Sequence, residues 1–222
     1  MTEILSFLQD LSANNHRDWM AQNKKRYEAA RGGFLHFLDE VLQELKLVDP
    51  SIAHLQAKEC VFRINRDVRF SNDKSPYKTN FAAYLCVEGR KSFAPGYYLH
   101  IQPGQSFIAG GIYMPQGEWL KKIRQEIDYN PEPLLSFLQK EESYFGQLEG
   151  DKLQRAPKGY GEDHPNIGLL KLKSFLVQKS FSDAELADPQ IGKKIAGGFV
   201  RMIPLIAYLK EAIETEDEEK FF

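Results

Sequence analysis

Many of the features that announce an enzyme class are missing from this 222-residue chain. It has only two cysteines, Cys60 and Cys86, both in apolar, strand-like runs. There is no Cys-x-x-Cys pair and no histidine at ligand spacing. This argues against a disulfide or a metal site and for two small buried hydrophobes in a cytoplasmic protein. No apolar run reaches the ~20 residues needed to cross a bilayer. Met1 to Asp10 lacks a basic segment ahead of an apolar one and carries Glu3 and Asp10, so it reads as a short amphipathic helix rather than a signal peptide. Charge of one sign is not in excess either. The formal net charge of -2 argues against a uniformly basic nucleic-acid binder, although not against a local basic patch. Also absent are a GxxxxGK[ST] phosphate loop, a strand-borne GxGxxG, HExxH and GxSxG.

What is present is an ordinary globular composition with a clear change of period along the chain. Residues 1–50 read as helical. Ile4, Leu5, Leu8 and Leu11 share one face, and Trp19, Asn23 and Tyr27 stack along a second helix. Phe34 to Leu45 form a third after an interruption at Gly32-Gly33. Residues 58–113 read as sheet, with strands beginning at Cys60 and over 81–87, 97–102 and 106–113. Pro103-Gly104 is a hairpin signal between the last two, and such short connections favour antiparallel pairing. Residues 117–214 are mixed but chiefly helical, with a further strand over 174–181, and 215–222 form an acidic tail. No repeat or linker divides the chain. The expectation is one α+β domain over 1–222, its mainly antiparallel sheet of about four to six strands packed with N-terminal and C-terminal helices.

One polar block stands out, Arg63-Ile64-Asn65-Arg66-Asp67-Val68-Arg69-Phe70-Ser71-Asn72-Asp73-Lys74-Ser75-Pro76-Tyr77-Lys78. Arginines recur at every third position, and five basic side chains stand against two acidic ones, a formal +3. Guanidinium groups grip phosphate or carboxylate in a planar fork, and lysine adds a compact point charge. Arg63, Arg66, Arg69, Asp73, Lys74, Tyr77 and Lys78 are therefore the ligand-binding candidates. An equally direct reading makes the block a structural lock, in which Arg66 and Arg69 pair with Asp67 and Asp73.

Strand alternation extends the candidate surface. With Phe62 and Ile64 turned to the core, Arg63 and Asn65 face the other way, and Tyr97, Leu99 and Ile101 leave Tyr98, His100 and Gln102 opposite. Aligned strands would gather Arg63, Asn65, Tyr84, Tyr98 and His100 on one side. His100, Asp67 and Tyr98 are the candidates for proton transfer. His164, in a turn-rich loop with Lys158 and Tyr160, is a weaker one, read first as part of a capped turn. Gly110-Gly111 suggests a bulge or close backbone approach rather than a phosphate loop. Asn14, Asn15, Arg17 and Trp19 read as helix capping. No metal site is assigned, because the adjacent cations would oppose a metal at Asp67 and Asp73.

Asn14-Asn15-His16-Arg17-Asp18-Trp19, Asn23-Lys24, the run Phe62 to Lys78, Pro95-Gly96-Tyr97-Tyr98-Leu99-His100-Ile101 and Gly110-Gly111 together carry a resemblance. Over nearly its whole length the chain resembles the proteins of unknown function grouped as domain-of-unknown-function family 2461 (DUF2461). It departs from their pattern at Met20, where phenylalanine often follows the tryptophan, and at Asn72, where a lysine or another polar residue is usual. The resemblance implies a single α+β domain and brings no activity or cofactor with it.

Two functions fit these residues. One is a protein, enzyme or not, that holds a small phosphate- or carboxylate-bearing ligand. The other is a non-catalytic module that docks an acidic partner or nucleic acid. A cleft around His100 would favour the first, and a flat screened patch the second. No membrane partner is expected, and the residues name no cofactor and no oligomeric state.

Overall fold

The computed structural model describes residues 1–215, so the acidic tail expected over 215–222 lies, from Glu216 onward, outside the described residues. The chain is an α+β protein with one four-stranded antiparallel sheet and helices at both ends. The elements are α1 (Thr2–Ala13), α2 (Arg17–Gln22), α3 (Lys24–Lys46), a 3-10 turn (Pro50–Ile52), α4 (Ala57–Cys60), β1 (Phe81–Leu85), β2 (Gly96–Ile101), β3 (Ser106–Ile112), α5 (Gly117–Tyr129), α6 (Glu132–Phe145), α7 (Ile167–Leu170), β4 (Phe175–Phe181), α8 (Asp183–Leu186) and α9 (Ile191–Glu214). The strands lie in the sheet in chain order, β1-β2-β3-β4.

Short polar side chains set the helix boundaries at the N-terminal end. Asn14 Nδ2 donates to the Asp10 carbonyl at 2.9 Å where α1 stops. His16 then caps α2, its Nδ1 accepting the Trp19 N–H. The single helix expected through Trp19, Asn23 and Tyr27 is in fact two, α2 and α3, divided at Asn23. The Asn23 side chain bonds back to the Trp19 carbonyl at 2.9 Å, an alternative to continuing the helical ladder. Gly32-Gly33, expected to interrupt the pattern, lies inside α3. Two glycines cost about 1 kcal/mol each in a helix. Burial of Ala30, Phe34, Phe37, Leu38, Val41, Leu42 and Leu45 along one face outweighs that cost.

The strand expected from Cys60 is also absent. Cys60 ends α4, and the following segment touches β1 through a single bridge, Val61 to Ala83, with Phe62 N–H donating to the Ala82 carbonyl at 2.9 Å. Strict alternation therefore does not hold there. Val61 and Ile64 are buried, and Phe62 is not.

Internal contacts divide the chain into two compact units. The first comprises Met1–Arg90, Tyr98–Ile108 and Lys179–Val200. Its core is aromatic: Phe34 stacks on Phe81 with ring centroids 5.4 Å apart, and Phe7 stacks on Phe81 at 6.3 Å. Trp19 and Tyr27 close on Phe7 at 6.0 and 5.9 Å. Each such pair adds about 0.5–1.5 kcal/mol beyond its buried area.

The second unit comprises Lys91–Tyr97, Ala109–Gln178 and the chain from Arg201. The expected close approach at Gly110-Gly111 is present. A Cβ on Gly110 would meet Met202 Sδ at 2.5 Å, and one on Gly111, whose φ is +124°, would collide with the Phe175 carbonyl oxygen. Glu141 is 5% exposed, and its carboxylate accepts from Arg201 at 2.8 Å. That partner is needed, because an unpaired charge so deeply buried is strongly destabilising. Lys122 donates to the carbonyls of Ile213 and Thr215 at the end of α9, satisfying oxygens that have no partner within the helix.

Candidate functional site

The basic block is a loop with a closed neck. Asn65 and Tyr77 form an antiparallel bridge, flanked by Arg66 N–H to the Pro76 carbonyl at 2.9 Å and Lys78 N–H to the Ile64 carbonyl at 2.8 Å. The N–H and C=O of Tyr77 point away from Asn65, as the geometry of such a pair requires. Asn15 takes both, donating Nδ2–H to the Tyr77 carbonyl at 2.9 Å and accepting the Tyr77 N–H on Oδ1 at 3.1 Å. Asn15, read from the sequence as a helix cap, is instead a clasp for a loop 62 residues away.

Above the neck, the two aspartates turn the chain. Asp67 Oδ1 accepts the backbone N–H of Arg69, and Asp73 Oδ1 accepts that of Ser75 at 2.8 Å, each a bond to the residue two positions on. Both carboxylates also hold an arginine. Arg69 grips Asp67 with Nε at 2.9 Å and Nη2 at 2.7 Å, and the Arg69 side-chain bond keeps the Asp67 carboxyl below its ordinary range. Arg66 Nη1 donates to Asp73 and to the Ser75 carbonyl at 3.2 Å. Bonds from Ser75, then from Arg66, depress the Asp73 carboxyl to about 2. Lys74 Nζ crosses the loop to the Val68 carbonyl at 3.0 Å.

Like Lys74, the other two cations make no ion pair among the described residues, although the charge of Arg63 helps hold the Asp67 carboxyl down. Arg63 is exposed and makes no ion pair or side-chain hydrogen bond among the described residues. The Lys78 ammonium lies 5.3 Å from the centroid of the Phe62 ring. Burial, and then the charge of Arg63, push the Lys78 amine below its ordinary value. The Phe62 ring continues onto Tyr98 at 6.4 Å, so Phe62 faces the polar side of the sheet and not the core as expected. The irregular segment after α4 is the reason. With one bridge at Val61 and the next at Asn65, no regular pleat dictates which way the intervening side chains turn.

On that side, Tyr98 and His100 come together as their parity implies. His100 stacks on Phe107 with centroids 4.8 Å apart, and its Nε2 bonds Gln102 Oε1 at 2.9 Å. Nδ1 faces the Tyr98 hydroxyl at 3.1 Å and Asn80 Nδ2 at 3.4 Å. Because Gln102 Oε1 can only accept, the ring carries its proton on Nε2, and Nδ1 accepts from Tyr98 and Asn80. Burial lowers the His100 imidazole below 6.5, and the Gln102 bond partly restores it. Burial likewise raises the Tyr98 phenol. Among the described residues no hydrogen bond or ion pair joins Asp67 or Arg63 to His100. Gln102 completes the polar set around the imidazole as its parity with Tyr98 and His100 implies. Asn80, one residue before β1, joins them, and its shared parity with Tyr84 was the available signal for it.

Cys60 and Cys86 are free and buried. Among the described residues no helix is long and apolar enough to cross a membrane, and no group of three or more His, Cys, Asp or Glu side chains is arranged to hold a metal.

A mixed α+β architecture thus carries a clasped, charged loop beside one polar sheet face. A family model described as "conserved hypothetical protein (DUF2461)" matches residues 3–208, and the chain belongs to that family. No curated protein and no solved structure matches it.

Proposed function

We propose that the Arg63–Lys78 loop holds a phosphate- or carboxylate-bearing ligand. One observation carries the reading. Burial, and after it the charge of Arg63, depress the Lys78 amine, so two cations share a neighbourhood in which neither makes an ion pair among the described residues. An anion seated between them would remove that repulsion and give each a charge-assisted bond. Arg66 and Arg69, in contrast, are engaged by Asp73 and Asp67 and serve to shape the loop. Lys74 and Tyr77 belong to the same frame, through a loop carbonyl and through Asn15. Binding is favoured over catalysis because both ring nitrogens of His100 are already bonded within the chain. The two buried, free thiols support a cytoplasmic location. One family model running through both compact units, over residues 3–208, supports a single domain.

A second reading, a non-catalytic module that docks an acidic partner or nucleic acid, draws on Phe70. Its side chain is 95% exposed at the loop tip, with the Arg69 guanidinium 5.7 Å from the ring centroid. An aromatic face flanked by cations suits a stacked base.

Thermal unfolding of the full chain against inorganic phosphate, sugar phosphates, dicarboxylates and short oligonucleotides tests both readings. A ligand at ~100 times its dissociation constant adds about 2.7 kcal/mol. The expected result is stabilisation by a small anion that Arg63→Ala and Lys78→Ala both abolish. Stabilisation by oligonucleotides alone, steeply weakened by salt and by Phe70→Ala, would select the docking module. No stabilisation by any compound, with wild-type-like melting of Arg63→Ala, would overturn the site.

A further inference from the structure

The second unit carries a cleft of about 620 Å³ that neither function uses. One wall is a single face of α5: Gly117, Lys121, Arg124 and Asp128 all line the cleft, at spacings that stack on one side of a helix. The opposite wall is the turn Pro157 to Tyr160, closed by Tyr160 N–H to the Pro157 carbonyl at 3.2 Å. Gly159 occupies the left-handed corner of that turn at φ +97°, a conformation that other residues rarely adopt, and Lys158 comes just before it.

The lining is cationic and unbalanced, since Lys121, Arg124 and Lys158 face one carboxylate, Asp128. Among the described residues neither lysine makes an ion pair. Arg124 is fixed from behind, with Nε donating to the Leu170 carbonyl at 2.8 Å and Nη2 to that of Leu172 at 3.2 Å. Those bonds occupy one of the two edges with which a guanidinium forks an oxyanion, leaving the Nη1 side as the donor. Asp128 is fixed too. His164 Nδ1 accepts the Asn166 N–H at 3.0 Å, so its Nε2–H donates to Asp128 Oδ1 at 2.9 Å. The Tyr160 ring meets the imidazole edge-on at 5.8 Å. At the other end of the cleft the N-terminus of α5 has no side-chain cap, and nothing lies within 4 Å of where a Gly117 Cβ would be.

We infer that this cleft binds a phosphate ester bearing a hydroxyl group, its phosphate between Lys121, Lys158 and the Nη1 of Arg124 and its hydroxyl donating to Asp128. The lining sets three cations, Lys121, Arg124 and Lys158, against the single carboxylate of Asp128. That excess suits the near-double charge of a phosphate ester better than the single charge of a carboxylate. The volume lies within the range of sites for small organic ligands. His164 is a positioning residue, holding the Asp128 carboxylate toward the cleft.

The test uses pyrophosphate as the probe, titrated into the full chain by calorimetry with amide NMR shifts recorded in parallel. It compares wild type, a Lys121→Gln/Lys158→Gln double variant and Arg63→Ala. Both lysines are exposed and make no ion pair, so the double variant keeps the fold. The expected result is that amides of Gly117, Gly159 and Tyr160 move in wild type and in Arg63→Ala. In the double variant, affinity at those amides falls about tenfold or more. Shifts confined to residues 63–78, or an affinity at the cleft unchanged in the double variant, would overturn the inference. Loss of the 63–78 shifts in Arg63→Ala leaves the cleft response in place, so the two sites are separable.

Discussion

Asn15 and Tyr77 bond through a carboxamide on one side and a peptide backbone on the other, at 2.9 and 3.1 Å. A primary amide offers the same donor and acceptor as a peptide unit. The Asn15 side chain thus acts as a one-residue strand against the outer side of the loop neck.

Replacing Asn15 with alanine removes both bonds. At about 0.5–1.5 kcal/mol each, the expected loss is about 1–3 kcal/mol, measured by urea unfolding. Amide exchange at Tyr77 should accelerate more than that at Leu99. Asn15→Asp should also destabilise, because a carboxylate keeps the acceptor and lacks the donor that the Tyr77 carbonyl needs.

The two turn-forming aspartates make the loop resistant to acid. The Asp73 carboxyl is depressed from 3.8 to about 2, first by its bonds to Ser75 and then by Arg66. A carboxyl whose folded value lies below its unfolded value contributes stability that is complete above the unfolded value. That contribution is lost as pH falls through the folded value. The window is therefore from 3.8 down to about 2. Carbon-detected NMR titration should show Asp73 ionised at pH values where an ordinary aspartate is half protonated. Arg66→Ala should raise its midpoint only part of the way to 3.8, because the Ser75 N–H bond to the carboxylate remains; a full return to 3.8 would assign the whole shift to the ion pair.

His100 is the pH-sensitive group on the polar face of the sheet. Burial lowers its imidazole from 6.5, so the folded chain takes up the proton less readily than the unfolded chain. Its contribution is complete above 6.5 and is lost as pH falls through the lower folded value. Nitrogen-15 NMR should find the Nε2-protonated ring titrating below 6.5. Gln102→Ala should move the midpoint further down, since that bond favours the charged form.

Periodic burial was readable from the residues alone. Ile195, Phe199, Met202, Ile206, Leu209 and Ile213 recur at helical spacing on α9; the first five are buried and Ile213 is half-buried. Tyr97, Leu99 and Ile101 alternate and are buried, while Tyr98 and His100 are half-buried. The basic block announced itself by charge density, and its two arginine–aspartate pairs were among the readings its composition allowed. What was not legible depends on partners distant along the chain. Asn15 looks like a cap until Tyr77 is beside it. Phe62 fits a core pattern until the lack of regular pairing frees it to face Tyr98. Gly32-Gly33 looks like a break because local propensity carries no information about the packing that holds α3 together. The α5 cleft brings together Lys121 and Lys158 from segments that share no motif.

The irregular segments beside the sheet have a consequence for how copies of this chain behave in a crowded solution. Beside β1, the outer positions near Ala82 and Ala83 are occupied by Val61 and Phe62. Beside β4, Glu149 bridges to Leu176 and donates its N–H to the Leu176 carbonyl at 2.7 Å. Neither outer strand presents an uninterrupted row of free donors and acceptors to a strand from another molecule. Fragments too irregular to count as strands thereby act as guards against edge-to-edge aggregation.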